Sequence, residues 1–238
     1  MNKTIIIGAN GELGYSIASA AQARNDQVAG YDLTPAINET INWAAFGCID
    51  LSSNESVIKA IQQANDIMGD IDVVINAAGI INNNSLLKTT DEDFSRVIDI
   101  NLTGAFRLTK AVAEIMIKQQ KGSILHLSSL HGLRGCIDRS AYAASKGGLG
   151  AFIQAVAAEL GQHGINVNAI APGPAGSGMG NASRRGKNFF ASIPMQREAY
   201  LSEVAAAAMY LSSPEAKYIT GHILPLDGGA SSSYFQTH

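Results

Sequence analysis

The 238-residue sequence is poor in cysteine, holding only Cys48 and Cys136, far apart and in no Cys-x-x-Cys arrangement. A disulfide framework and a cysteine-based zinc site are thereby set aside, and both thiols are expected to be reduced and structural. Proline is absent from the middle of the chain: all six lie at Pro35 or at Pro172 and beyond. The long interval between them therefore contains no residue that breaks a helix or interrupts a ladder. A dominant charge is missing too. A formal net charge of −3 provides no broad positive field, which argues against nucleic acid and against an anionic membrane surface. A small molecule is the expected partner. No apolar stretch approaches the roughly 18 residues of a membrane span. The run at Thr4–Ile7 falls short of the about 7–15 residues of a secretory h-region, so a cytoplasmic address is expected.

The composition is 46% hydrophobic and 16% charged, with 24 glycines, which describes a compact chain rich in small residues. Its length suits one α/β domain. Continuous β-branched runs at Thr4–Ile7, Gln27–Tyr31, Asp72–Ile75, Ser123–Leu127 and Ile165–Ile170 predict strands buried on both faces. Helical patterns over Gly11–Arg24, Ser53–Ile67, Asp91–Gln119, Ala141–Leu160 and Glu203–Leu211 alternate with them. His222–Leu226 predicts a last strand that Pro225 pushes toward an edge. The alternation predicts a doubly wound parallel sheet of about seven strands with helices on both faces, a Rossmann fold. The Gly/Ser-rich stretch after Pro172 predicts a substrate lid at about 174–200.

Four clusters carry chemistry. Gly8-Ala9-Asn10-Gly11-Glu12-Leu13-Gly14 follows the first strand and opens the first helix, where glycines let the backbone approach a pyrophosphate at a helix N-terminus. Asp32 ends the next strand, 18 residues after Gly14, close to the offset at which a carboxylate takes a ribose 2′-hydroxyl. A 2′-phosphate would be repelled there, so NAD is favoured over NADP.

The second cluster is Tyr142 with Lys146 four residues on, and Ser129 thirteen residues before the tyrosine. Positions i and i+4 share a helix face, so phenol and ammonium can both face one ligand, the ammonium lowering the phenol pKa. Ser129 can donate to a substrate oxygen and hold it beside the phenol. In the third cluster, Asn76-Ala77-Ala78-Gly79 follows a strand. Asn101 lies within the long helix, where either its side chain or a distorted local carbonyl could hold water for a relay to Lys146. Last, Asn168–Pro174 ends a strand at the edge where ligands sit in open α/β sheets, placing Pro172, Gly173 and Ala175 there. His131 and Met179 are candidates for the substrate pocket, alongside Ser129 and Tyr142.

In this order, and with Asp50 after the third strand and Leu226-Asp227-Gly228-Gly229 near the end, these residues resemble the short-chain dehydrogenase/reductase family in its single-domain branch, from Thr4 to Gly229. The resemblance implies an NAD-dependent oxidoreductase that interconverts a secondary alcohol and a ketone. It makes Asn101, Ser129, Tyr142 and Lys146 the catalytic tetrad, brings Asp50 and Leu51 to the adenine, and places Ser177 on the nicotinamide carboxamide. It also implies a homo-oligomer, dimer or tetramer, to which the small residues of the helix Ala141–Leu160 are suited. Two alternatives stand beside this reading: a 3-oxoacyl-carrier-protein reductase, which the pattern also resembles and against whose usual NADPH Asp32 counts, and a catalytically silent NAD-binding sensor or scaffold. The glycine turn departs from the family at Glu12, which replaces a usual glycine and whose carboxylate would compete with phosphate for helix N–H groups.

Overall fold

The computed structural model describes residues 1–37, 40–176 and 189–233. Seven strands, β1 (Lys3–Ile7), β2 (Gln27–Asp32), β3 (Ala45–Cys48), β4 (Val73–Asn76), β5 (Gly122–Leu127), β6 (Ile165–Pro172) and β7 (Ile223–Leu226), form one sheet in the order β3-β2-β1-β4-β5-β6-β7. Every pairing is parallel. Parallel strands must be connected by crossovers, and the helices that make them cover both faces. On one side α2 (Asn54–Met68), α4 (Gly104–Gln119) and α6 (Ser140–Leu160) bury Val57, Leu108, Val112 and Ile153 against Ile5, Tyr31 and Val74. On the other, α1 (Glu12–Ala23) and α7 (Leu201–Leu211) bury Ile17 and Val204 against Ile6, Ile75 and Leu125. This double coverage explains why the central strands are apolar throughout instead of alternating.

The chain order reverses between β1 and β4, and there the crossovers diverge to opposite sides and leave a crevice beyond the strand ends. All the strands run the same way, so the predicted motifs, which each follow a strand, are gathered along one edge of the sheet.

Three elements differ from expectation. The helix predicted over Asp91–Gln119 is broken into α3 (Asp91–Ile98), a π-helical turn at Asp99–Thr103, and α4. The extra residue of a π turn points Asn101 inward, where its carboxamide is held by the backbone of Ile80. The edge strand β3 is only four residues long and half-buried, too short for a pattern to register. A one-turn helix, α5 (Leu130–Leu133), follows β5, started by Ser129, whose Oγ accepts from the His131 N–H at 3.1 Å. The proline-bearing β7 does sit at the sheet edge.

Candidate active site

The glycine turn is tight because it has to be. Gly8 holds φ +80°, and a β-carbon at Gly14 would lie 2.0 Å from the Gly8 carbonyl oxygen. The Gly11 side of α1 has no side-chain cap, and the start of a helix is where backbone N–H groups lack intrahelical acceptors. A glycine turn at a helix's positive end is suited to a pyrophosphate. Glu12 does not fold back over those groups toward Gly8. Its Oε2 reaches Gly176, so closely that a β-carbon there would come within 2.8 Å. Leu13 lies against the core on the α1 side.

Asp32 closes the turn from β2. Its Oδ2 accepts from the Asn10 N–H at 2.9 Å and its Oδ1 from the Leu33 N–H at 2.7 Å. Asn10 Nδ2 donates to the carbonyls of Thr34 and Pro35, which fixes the loop beyond β2 against the glycine turn. No basic residue occurs in Leu33-Thr34-Pro35-Ala36-Ile37. Asp50 accepts from the N–H and hydroxyl of Ser52, which lowers its pKa. The Leu51 carbonyl accepts from Arg107 at 2.9 Å.

Asn76 ends β4 next to β1. Its Oδ1 accepts from the Ala78 N–H, and Ala77 donates to the Ile7 carbonyl, so the Asn76–Gly79 turn is tied to the first strand. Asn76 Nδ2 donates to Nδ1 of His126, whose Nε2 then donates to Thr109 Oγ1 at 3.0 Å. His126 is fully buried, and burial followed by repulsion from Lys146 drives its pKa down to about 3. It is neutral, and it braces the turn from behind.

Gly79 brings the turn to the catalytic candidates: a β-carbon on it would meet Asn101 Oδ1 at 3.1 Å and Lys146 Nζ at 3.4 Å. Asn101 Oδ1 accepts from the Ile80 N–H, and its Nδ2 donates to the Ile80 carbonyl and to Ser145 Oγ at 3.0 Å. The side chain is thus spent on the scaffold, which corrects the expectation that it could hold water. Ser145 was not singled out in the sequence, where it is one more small residue of α6.

Tyr142 and Lys146 lie on one face of α6, both buried, with Nζ 5.8 Å from the phenol ring centre. Ser129 stands close enough to Tyr142 to lower its pKa, and the His131 ring packs edge-on against the phenol at 6.2 Å. Four of the predicted groups, Ser129, His131, Tyr142 and Lys146, are thereby brought together. One electrostatic expectation needs correcting. Lys146 Nζ donates to the Leu127 carbonyl at 2.7 Å, and it is not among the groups that lower the phenol pKa. Burial raises that pKa, opposed by the Ser129 hydrogen bond and then by the Arg139 guanidinium. Burial also pulls Lys146 down to about 8. Arg139 is a second group not singled out in the sequence. Its charge acts on Tyr142 and His131, and no spacing rule pointed to it.

Pro172 ends β6, and Gly173 donates to the Leu226 carbonyl at 2.9 Å. Beyond them Ala175 pairs with Ala199, so the base of the 174–200 segment is pinned to itself. Ser177 and Met179 lie outside the described residues. No helix among the described residues is long and apolar enough to cross a membrane, and no group of three or more His, Cys, Asp or Glu there could hold a metal.

Comparison with known proteins agrees with this arrangement. A family model described as enoyl-(acyl carrier protein) reductase matches residues 8–231. The 3-oxoacyl-(acyl-carrier-protein) reductase of Chlamydia muridarum is 34% identical, with 96% of this chain and 97% of that protein aligned. An acetoacetyl-CoA reductase of an Acinetobacter species is 40% identical over 77% of this chain and 75% of its own length. Among solved structures, levodione reductase superposes with a TM-score of 0.90 at 26% identity, covering 98% of each chain. A seven-stranded crevice lined in this order, matched across nearly its whole length by carbonyl reductases, places the chain in the short-chain dehydrogenase/reductase family, as an oxidoreductase of carbonyl and hydroxyl groups that binds a nicotinamide cofactor.

Proposed function

We propose that this oxidoreductase uses NAD(H) and acts on a small secondary alcohol or ketone in the cytoplasm, with Tyr142 as the acid/base. The observation that carries the reading is the buried phenol with Ser129 near enough to lower its pKa, Lys146 on the same helix face and Gly79 against that lysine. A nicotinamide cofactor, when bound, would supply or accept the hydride, so that CH–OH and oxidised cofactor would become C=O, reduced cofactor and one proton. The chain's own groups do the rest. Ser129 holds the substrate oxygen, Tyr142 gives or takes its proton, and Lys146, whose Nζ donates to the Leu127 carbonyl, is the residue that would hold the cofactor ribose. A backbone carbonyl of the π turn, rather than the committed Asn101 side chain, holds the water that relays protons to Lys146.

The preference for NAD rests on Asp32. Two backbone N–H groups fix its carboxylate at the end of β2, where it would meet a 2′-phosphate with like charge, and the five residues after it bring no compensating cation. Initial rates on a panel of ketones should therefore be at least about tenfold higher with NADH than with NADPH, a difference of about 1.4 kcal/mol. Asp32→Ala should narrow that ratio by relieving the repulsion. The relatives named as 3-oxoacyl-(acyl-carrier-protein) reductases support the alternative reading, and a wild-type preference for NADPH together with turnover of a 3-oxoacyl thioester would select it.

The oligomer belongs to the same proposal. Phe106 on α4, 47% exposed, meets Phe152 of α6 edge-on at 6.3 Å, an apolar face that a second copy would cover. Sedimentation should give a dimer or tetramer, and Phe106→Glu should shift it toward monomer.

A further inference from the structure

We propose that Arg139 recognises a carboxylate on the substrate, which makes a short oxo acid and its hydroxy acid the substrate pair of this enzyme. The proposal rests on the carbonyl-reducing reading above and narrows it.

Arg139 stands at the start of α6, three residues before Tyr142, and its carbonyl accepts from the Ala143 N–H at 2.7 Å. It opens the helical turn that carries the phenol, one turn ahead of Tyr142, and its charge is felt at both Tyr142 and His131. Its position is costly in three respects. A cation at the N-terminus of a 21-residue helix opposes the helix dipole. The residue before it, Asp138, takes φ +60°, a left-handed conformation that non-glycine residues rarely adopt. Its Nε is buried with no hydrogen-bond partner, and Nη1 finds only the Asp138 carbonyl at 3.2 Å.

Elsewhere the chain treats its partly buried arginines differently. Arg24 pairs with Asp26 at 2.6 Å, Arg107 with Asp99 at 2.8 Å and Arg197 with Glu203 at 2.7 Å. Among the described residues no carboxylate pairs with Arg139. A buried, unpaired guanidinium nitrogen is expensive unless an anion completes it, and the planar fork of arginine matches a carboxylate better than a neutral ester. His131 does not supply the charge. Burial, followed by Arg139 itself, lowers its pKa, which leaves a neutral ring able to hydrogen-bond the same substrate. With the reacting oxygen between Ser129 and Tyr142, an anionic group a few bonds away falls toward Arg139. The thioesters named for the relatives carry no charge at that point, so the substrate class is a different one.

The test compares 2-, 3- and 4-oxo acids with their methyl esters, using NADH, in the wild type, Arg139→Gln and Arg139→Lys. The expected wild-type kcat/KM is about tenfold or more higher for the preferred acid than for its ester. That acid-to-ester ratio should fall toward one in Arg139→Gln and recover in part in Arg139→Lys. General damage would lower both rates and leave the ratio where it was. A wild-type ratio near one, or a ratio unchanged in Arg139→Gln, overturns the proposal. So does failure to reduce any acid in the series while neutral ketones are reduced, a result that leaves the carbonyl-reductase reading intact. Failure on acids and neutral ketones alike takes down both.

Discussion

Tyr142→Phe should bind NADH as the wild type does and turn over substrate about 10²–10⁴-fold more slowly, the usual contribution of a positioned acid/base. The substitution isolates the hydroxyl. The ring is 6% exposed, and its edge-on contact with His131 is kept by phenylalanine, so the fold should be retained. What is lost is the oxygen that lies near Ser129 and exchanges the substrate proton. Cofactor fluorescence titration and steady-state rates separate the two effects, and a variant within a few-fold of wild-type turnover would sink the assignment. The same phenol sets a pH dependence. Burial raises its pKa above 10.0, so near neutrality the free enzyme carries the proton. An acid loaded in this way suits ketone reduction, whose kcat/KM should fall as alkaline pH removes the proton. Alcohol oxidation needs the phenolate and should rise over the same range.

The two cations at this site differed in how far the sequence exposed them. Lys146 was legible because an i, i+4 partner and an upstream strand-end serine accompany it. Arg139 was not, since a basic residue ahead of a helix has no pattern of its own. Its meaning comes from a buried Nε and an absent carboxylate, both tertiary facts. His126 was hidden for the opposite reason: it sits inside the apolar run Ile124–Leu127, where only the three-dimensional pairing of β4 with β5 reveals Asn76 beside it.

The fold itself was easier to read, because continuous apolar strands and the intervals between them are local properties. Two departures of the fold and two of the site came from interactions that a linear pattern does not contain. The π turn exists because Asn101 must reach Ile80 and Ser145, and periodicity alone would run the helix straight through. The edge strand β3 has four half-buried residues held by one neighbour, β2, too few to show a period. The Asn101 side chain was one of two groups offered for holding water, the other being a local carbonyl, and Lys146 was expected to act on the phenol. Each instead found a stronger backbone partner, the first at Ile80 and the second at the Leu127 carbonyl.

That partnership makes Lys146→Met the second large effect, and one with two independent readouts. Methionine keeps the length and apolar packing of the stem but removes both the charge and the donor to Leu127. Turnover should fall by about 10²-fold or more if the ammonium supports proton exchange at Tyr142. Stability reports on the same group without any substrate. Burial depresses the Lys146 pKa from the ordinary 10.5 to about 8, so the folded protein sheds this proton before the unfolded chain does. Between those values the unfolded state holds more protons, and folding stability rises with pH; below about 8 both states are charged and the gain is absent. The cofactor-free wild type should therefore gain stability relative to Lys146→Met as pH is raised from 7 to 10, measured as the difference in Tm at each pH. Other groups titrate in both proteins and cancel in that difference. Parallel Tm profiles would mean that the ammonium is not desolvated as the structure has it, and the buried position of Lys146 beneath the site would lose its support.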